Sequence, residues 1–303
     1  MKILICGAYG RLGAECVVLL AGNHEVVAVD TDELDITDKA AVLTAVREVQ
    51  PDWILNCAAY TDVDGCESDG EAAWRLNVQG PENLAAAADV FDGRLLHLSA
   101  DHVFDGGLPL GHAYSEEDLV SPESVYGRTM AAGEEAALQF PGNRNCVVRT
   151  SWLYGSSGRN FLKTMLGLTL KNPCQPVQVV ADQYGAPTWT ATLAGQIKIL
   201  LETESAGGIY HATAEGYCSW YELGVYFLKQ MDLMHALTPG TTVECPTPAP
   251  RPKNAILDNS RLKAAGLHCM QNWQDDVDRF VDQHRQALME ECLPARPQNN
   301  RIC

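Results

Sequence analysis

Short apolar runs alternate with longer amphipathic ones through the first half of the chain. Residues 2–6, 25–30, 53–58, 94–99 and 146–150 are brief and rich in Val, Ile or Leu, and they read as strands. Between them, residues 11–21, 39–49, 72–89 and 124–139 read as helices. Strands that alternate with helices predict βαβ units, a parallel sheet and right-handed crossovers. The stretch 102–122 is long for a connection inside a compact domain, and such loops are often functional.

The second half is less regular. Residues 161–171, 191–202, 220–231 and 273–290 read as helices, and 177–181 and 209–211 as strands. Prolines at 239, 246, 248, 250 and 252 exclude a helix over 238–252. Residues 293–303 read as a loose tail, and no internal repeat is visible. A length of 303 residues fits one large domain or two ordinary ones.

Charge narrows the partners. Lys and Arg number 22 against 39 Asp and Glu, a net charge of −17. Phosphate backbones and anionic lipid surfaces are bound by basic faces, so neither nucleic acid nor a membrane surface is the expected partner. One phosphorylated small molecule in a local pocket stays compatible. No apolar run reaches 18 residues, and Arg11 and Glu15 interrupt the N-terminus, so neither a membrane span nor a secretory signal is expected and the cytoplasm is the expected location. The 11 cysteines form no CxxC pair and no zinc-type cluster; Cys6, Cys57 and Cys146 sit in apolar strand segments and read as reduced, small hydrophobes. No metal site is expected.

Candidate chemistry begins at Gly7-Ala8-Tyr9-Gly10-Arg11-Leu12-Gly13, which follows the first strand and opens a helix. Glycines there allow a tight turn and close approach of backbone to a pyrophosphate, and the helix start offers free N–H groups. The spacing is GxxGxxG, as in short-chain dehydrogenases. Asp30 ends the second strand, where an acid accepts hydrogen bonds from an adenosine ribose and repels a 2′-phosphate, which leans towards NADH. Arg11 could instead meet that phosphate, so NADH against NADPH stays open. The reading is a Rossmann-type, doubly wound α/β fold with a smaller C-terminal α/β substrate domain. Residues 1–150 form the dinucleotide-binding domain, with 177–202 returning to it, and 151–292 form mainly the substrate domain.

Further blocks follow in order: Asn56-Cys57-Ala58-Ala59-Tyr60-Thr61, Ser99-Ala100-Asp101-His102-Val103-Phe104-Asp105-Gly106 and Tyr126-Gly127-Arg128-Thr129-Met130. Then come Arg149-Thr150-Ser151-Trp152-Leu153-Tyr154-Gly155, Asp182-Gln183-Tyr184-Gly185-Ala186-Pro187-Thr188, Gly208-Ile209-Tyr210-His211, Arg251-Pro252 and Leu257-Asp258-Asn259-Ser260. Over residues 1 to about 290 the chain resembles the dTDP-4-dehydrorhamnose reductase family of extended short-chain dehydrogenases. The resemblance implies hydride transfer from a nicotinamide cofactor to the C4 ketone of dTDP-4-dehydro-L-rhamnose, giving dTDP-L-rhamnose, with Tyr126 as proton donor and Asp101 as a second catalytic residue. It implies cofactor contacts from Gly7, Gly10, Arg11, Leu12, Gly13, Asp30, Asp35, Ile36, Ala58, Ala59, Tyr60, Thr61, Tyr126 and Met130. It implies substrate contacts from Ala100, Asp101, His102, Phe104 and Trp152. NADPH or NADH is the implied cofactor; magnesium is not expected, and a homodimer stays open.

The chain departs from the family at its reactive centre. The family has a lysine where this chain has Met130, and a threonine or serine where it has Ala100; His102 replaces a tyrosine. At ~5 Å and an effective dielectric of ~20, such a lysine favours tyrosinate by roughly 3 kcal/mol. Arg128 lies on another helix face, and Ser99 points to the opposite face of its strand from residue 100. Tyr126 is therefore expected to keep a high pKa, with low turnover at neutral pH and a rate rising towards alkaline pH. The alternative is a non-catalytic NAD(P)-binding subunit resembling the β subunit of methionine adenosyltransferase.

Other residues carry weaker signals. Asn77 either shapes the site or bonds backbone within its helix. His211, in an apolar strand, reads as a core histidine. Glu116, Glu117 and Asp118 read as a solvated charge run. Glu290 and Glu291 could meet a divalent ion at a dimer interface.

Overall fold

The computed structural model describes residues 1–140, 144–203 and 207–293. The expected loose tail lies outside the described residues, apart from Leu293. In chain order the first half contains β1 (Lys2–Cys6), α1 (Arg11–Leu20), β2 (Glu25–Val29), α2 (Lys39–Val49), β3 (Trp53–Asn56), α3 (Val63–Ser68), α4 (Gly70–Trp74), α5 (Gly80–Val90), β4 (Arg94–Ala100), α6 (Val125–Leu138) and β5 (Cys146–Thr150). There follow β6 (Leu153–Tyr154), α7 (Phe161–Lys171), β7 (Val177–Val180), β8 (Tyr184–Gly185), β9 (Thr188–Trp189), α8 (Thr190–Glu202) and β10 (Gly208–His211). The chain closes with β11 (Cys218–Ser219), α9 (Trp220–Gln230), β12 (Leu237–Gly240), β13 (Asn254–Ala255), α10 (Ser260–Ala264) and α11 (Trp273–Cys292).

The central sheet has six strands, all parallel, in the order β2-β1-β3-β4-β5-β10. Side chains alternate across a strand, so each strand feeds two cores. Ile3 and Ile5 join Leu55, Val148 and the inner faces of α1 and α8, while Leu4 and Cys6 join Ile54, Val147 and the helices α2, α5 and α6. This is a Rossmann-type α/β fold. The strand order reverses between β2-β1 and β1-β3, so a crevice opens outside the carboxyl ends of β1 and β3.

A separate core gathers Tyr154, Leu162, Trp189, Phe227 and Phe280 from β6, α7, β9, α9 and α11. Residues 177–202 divide. Helix α8 packs against the first core, while β7 pairs with β12 in a separate two-stranded sheet. Proline has no N–H to offer a central ladder, and Pro239 is accommodated because β12 has only β7 as a neighbour. The sixth central strand is β10, drawn from the second half.

The helix expected over 72–89 is interrupted. Residues Arg75–Gln79 form a π-helical turn between α4 and α5, a feature that frequently marks functional positions. The strand expected over 53–58 stops at Asn56, whose Oδ1 accepts from Ala58 N at 3.1 Å and turns the chain. Helix α3 was not anticipated. It is capped by Asp62 and bonded to α6 through Val125 N and Glu67 Oε1 at 2.7 Å.

Candidate active site

The carboxyl ends of β1, β3, β4 and β5 open into a cleft of about 890 Å³, walled on its far side by residues 150–183, Trp220 and the segment 245–252. Gly7, Gly10, Arg11, Leu12, Asp30, Ala58, Ala59, Thr61, Ala100, Asp101, His102, Tyr126, Met130 and Trp152 all line it. A smaller hollow of about 220 Å³ beside it takes Gly7, Asp30, Asp35, Ile36, Ala58 and Tyr60, with Arg75.

The glycine loop is built for a close approach. Gly7 has φ +71°, and a Cβ there would stand 2.7 Å from Ala58 N. Gly13 does not face the cleft; a Cβ there would lie 2.1 Å from Gly7 O, so its role is to let α1 press against the loop. Gly10 caps α1 without a side-chain hydrogen bond, which leaves the first N–H groups of the helix open to an anion. Asp30 stabilises the loop as well as facing the cleft: its Oδ2 accepts from Tyr9 N at 3.0 Å and its Oδ1 from Thr31 N at 2.9 Å.

Arg11 corrects one expectation. Its guanidinium donates to Leu153 O at 2.9 Å and to Arg159 O, across the cleft, and does not turn to the ribose end beside Asp30. Asp35 is also engaged locally, accepting from Thr37 N at 2.9 Å and Thr37 Oγ1 at 2.8 Å, bonds that lower its pKa.

Helix α6 starts where Ser124 Oγ accepts from Gly127 N at 3.0 Å, which sets Tyr126 in the first turn. Asn77, in the π-helical turn, fixes the opposite wall. It accepts from Tyr60 N at 2.7 Å through Oδ1 and donates to Thr129 Oγ1 at 3.0 Å, so it ties the 58–61 loop to α6. Burial raises the Tyr126 phenol far above its ordinary value, and the charges of Asp101 and Cys66 add to this. Met130 and Ala100 sit in an apolar cluster with Tyr126, Val103, Tyr114 and Leu257. Ser99 is committed elsewhere, donating to Glu134 Oε1 at 2.5 Å, and Arg128 is held at the surface by Glu123 O at 2.7 Å.

Asp101 begins the 3₁₀ turn after β4 and is 4% exposed, and its Oδ2 finds no partner. Burial pushes its carboxyl up to about 7, against opposing backbone hydrogen bonds. The His102 ring meets the Tyr126 ring edge-on at 5.3 Å. Burial, and then Arg251, push the His102 imidazole down to about 4.

Two further expectations are corrected. Phe104 does not reach the cleft: it is 2% exposed and stacks on Tyr114 at 4.2 Å, beneath Arg149. Glu116 is not solvated: it is buried, and its Oε1 accepts from His211 N at 3.0 Å and Arg261 N at 3.2 Å. His211 is fully buried, with Nδ1 3.2 Å from Asp258 O. Glu291 is paired with Lys163 Nζ at 2.7 Å, and no cluster of three metal-type ligands exists among the described residues.

Sequence reading passed over three groups as site residues. Arg251 lines the cleft and pairs with Asp64 at 2.9 Å; Arg251-Pro252 was noted only as a motif. Trp220 stacks on Trp152 with ring centroids 3.6 Å apart, a contact across 68 residues that no local pattern signals. Glu134 holds Arg149 in a buried pair at 2.6 Å behind the site, and its helical spacing from Tyr126 was the available signal.

The chain matches the family described as the RmlD substrate binding domain over residues 1–286. It belongs to that family. The chain is 41% identical to a dTDP-4-dehydrorhamnose reductase of Streptomyces griseus, over 89% of this chain and 90% of that one. It is 39% identical to a probable dTDP-4,6-dihydroxy-2-methyloxan-3-one 4-ketoreductase of Streptomyces antibioticus, over 93% and 95% of the two chains. Among solved structures, a dTDP-4-dehydrorhamnose reductase of Bacillus anthracis in complex with NADP superposes with a TM-score of 0.89 at 34% identity, covering 93% of this chain and 99% of that one. Among the described residues, no helix is long and apolar enough to cross a membrane.

Proposed function

We propose that this chain is a cytoplasmic NAD(P)H-dependent reductase that acts on the C4 ketone of a dTDP-linked 4-dehydro-6-deoxy sugar, with dTDP-4-dehydro-L-rhamnose the first candidate. One observation carries this: a continuous cleft runs from an uncapped helix N-terminus at Gly10 to the tyrosine at 126. The relatives' names differ in the sugar but share a dTDP group, a ketone and a reduction. Residues 1–150, completed by α8 and β10, hold the dinucleotide, and 151–292 contribute mainly to the sugar-nucleotide side.

The residues present fit the cofactor. The free N–H groups at the start of α1 receive the pyrophosphate, and Ala58, Ala59 and Thr61 flank the path towards Tyr126. When bound, a reduced nicotinamide supplies the hydride. At the ribose end stand the carboxylates of Asp30 and Asp35 against the single guanidinium of Arg75, a balance that favours NADH over NADPH. Trp152 and Trp220 form the apolar wall on the sugar side.

Tyr126 acts as an acid in this direction. Reduction consumes the protonated phenol, and a raised pKa keeps that form populated throughout the neutral range. The alkaline rise expected from the sequence therefore belongs to the reverse oxidation, which needs tyrosinate. Without a cation at 130, the phenolate left after proton transfer has no counter-charge, and this makes turnover slow.

Cofactor oxidation with dTDP-4-dehydrorhamnose tests the proposal, with NADH and NADPH compared. Slow oxidation that Tyr126→Phe abolishes is the expected result, with tighter binding of NADH. Binding of both ligands without any oxidation would favour the second reading, a non-catalytic dinucleotide-binding protein, which the apolar packing of Ala100 and Met130 supports.

A further inference from the structure

The sugar side of the cleft is shaped by one residue in a backbone conformation that bulky side chains rarely adopt. Trp152, just past β5, has φ +48° and lines the cleft. Such a conformation persists only where its surroundings over-determine it, and it gathers at ligand sites. Here the main chain is held on both sides. Ser151 Oγ donates to Ala186 O at 2.9 Å, Thr188 N donates to Trp152 O at 3.3 Å, and Arg11 donates to Leu153 O at 2.9 Å. Those bonds fix the backbone of 151–153 and leave the direction of the indole to its packing.

Two neighbours set that direction. Gly185 leaves room for the ring, since a Cβ there would stand 2.5 Å from it. Trp220 takes a ring face, its plane 8° from that of Trp152 and the centroids 3.6 Å apart. Both neighbours come from one small unit. β8 pairs with β11 so that Gly185 stands opposite Cys218, and Ser219 then opens α9 with a capping box that places Trp220 at its first position. Phe161 packs on Trp220 with centroids 4.8 Å apart. With Leu162, Met165 and Leu223 these rings form an apolar stretch of the cleft.

We propose that Trp220 is a positioning residue for the hexose of the sugar nucleotide: it holds the Trp152 indole at the sugar subsite and acts through that indole. The inference rests on the sugar-nucleotide reading of the cleft given above. An apolar ring surface suits the uncharged hexose and offers nothing to a diphosphate, so the pair bears on the sugar and leaves the nucleotide end and the dinucleotide alone. Stacking fixes the indole before the ligand arrives, which removes an ordering cost from binding. The affinity for the hexose therefore depends on a residue of α9, far along the chain from the strand that carries Trp152.

The test uses the full chain and two probes, dTDP-L-rhamnose and dTDP, with NADH as the control. The parent should show an exciton couplet from the stacked indoles in far-ultraviolet circular dichroism. Trp220→Leu, which keeps apolar bulk without a ring, should lose it. The Kd of Trp220→Leu for dTDP-L-rhamnose should rise about 3–10-fold, the range of an aromatic pair, while the Kd values for dTDP and NADH stay within about twofold. Trp220→Phe, which keeps a ring face, should return most of the affinity without the couplet; it also serves if the Leu variant folds poorly. In a Trp152→Leu background, Trp220→Leu should add less than about twofold, because the two rings act as one unit. A parent without the couplet overturns the proposal, as does a Trp220→Phe variant with no recovered affinity. An equal rise in Kd for dTDP, or an undiminished loss in the Trp152→Leu background, overturns it too. A parent that does not bind dTDP-L-rhamnose overturns the sugar-nucleotide reading and the proposal with it. A parent that binds it no more tightly than Trp220→Leu does overturns the positioning role alone.

Discussion

The two ends of one cleft are built from different materials. At the dinucleotide end, Gly7, Gly10 and Gly13 stand in the expected strand–turn–helix context and each performs a distinct geometric task. At the reactive end, Ala100 and Met130 share a buried apolar cluster with Tyr126, and the His102 ring meets the phenol edge-on. The difference shows what each site is made of. The anion site consists of backbone N–H groups and missing side chains, so nearly any substitution damages it. The reactive site consists of side-chain functional groups on a rigid frame, and these can change without disturbing the fold. Glu134, Arg149, Ser99 and Asn77 supply that frame. The family fold therefore says more about what binds here than about how fast it reacts.

The sharpest way to break the comparison is at Gly10. A Cβ there meets only Gly7 O at 3.2 Å, so Gly10→Glu can fold with modest adjustment. Its carboxylate would occupy the positive end of α1, where the pyrophosphate belongs, and add a like charge. Cofactor affinity should fall by about 10³-fold or more, read by fluorescence titration. An unchanged Kd would place the dinucleotide elsewhere.

The second test restores the other end. Ala100→Thr with Met130→Lys adds a hydroxyl donor for the developing alkoxide and a cation for the phenolate. A donor aimed at a developing oxyanion is worth about 10²–10³-fold in kcat. The double variant should gain about that much, with non-additive single effects because both act on one proton network. Burying lysine where Met130 is 2% exposed should also lower stability, by roughly 1–3 kcal/mol. A double variant at the parent rate, with both ligands bound, would mean that the geometry has diverged along with the side chains.

The legibility of the sequence follows the same division. The five first-half strands were readable because each is a short apolar run feeding two cores, as Ile3-Leu4-Ile5 demonstrates. The glycine loop was readable because its logic is local. Long-range consequences were not. Glu116 looks like part of a solvated acidic run, but it is recruited 95 residues away by the backbone of His211. Phe104 lies three residues from Asp101 in the same block, but the 3₁₀ turn sends it into the core. Arg11 shares the loop with the glycines and reaches across to residues 153 and 159. Nothing local encodes those partners. β10 completes the main sheet from beyond residues 151–207, so the first-half pattern could not include it.

The smallest effect separates the two ends thermodynamically, because it needs neither ligand nor turnover. Asp101 has an ordinary carboxyl value of 3.8 when unfolded and about 7 in the fold. Between those values the native state holds a proton that the unfolded chain releases. Its contribution to stability therefore declines as pH rises from about 4 to 7, and the full penalty applies above that. The buried imidazoles act in the opposite sense. His97 and His102 are held near 4 and His211 near 3, so their contribution is complete above 6.5 and is lost as pH falls. These histidines are shared by parent and Asp101→Asn and largely cancel in the difference. The asparagine variant should gain stability relative to the parent as pH rises from 4 to 8, with the difference in Tm moving by about 2–8 °C in its favour. A constant offset from replacing the carboxyl by an amide leaves that slope untouched. The equivalent titration of Gly10→Glu should show only a small gain, confined to the ordinary carboxyl range near pH 4, since the positive end of α1 favours the ionised form of an exposed carboxylate by about 0.3–1 kcal/mol. A flat difference for Asp101→Asn would mean that the carboxyl is ionised in the fold, and the reactive end would then hold no acid besides Tyr126.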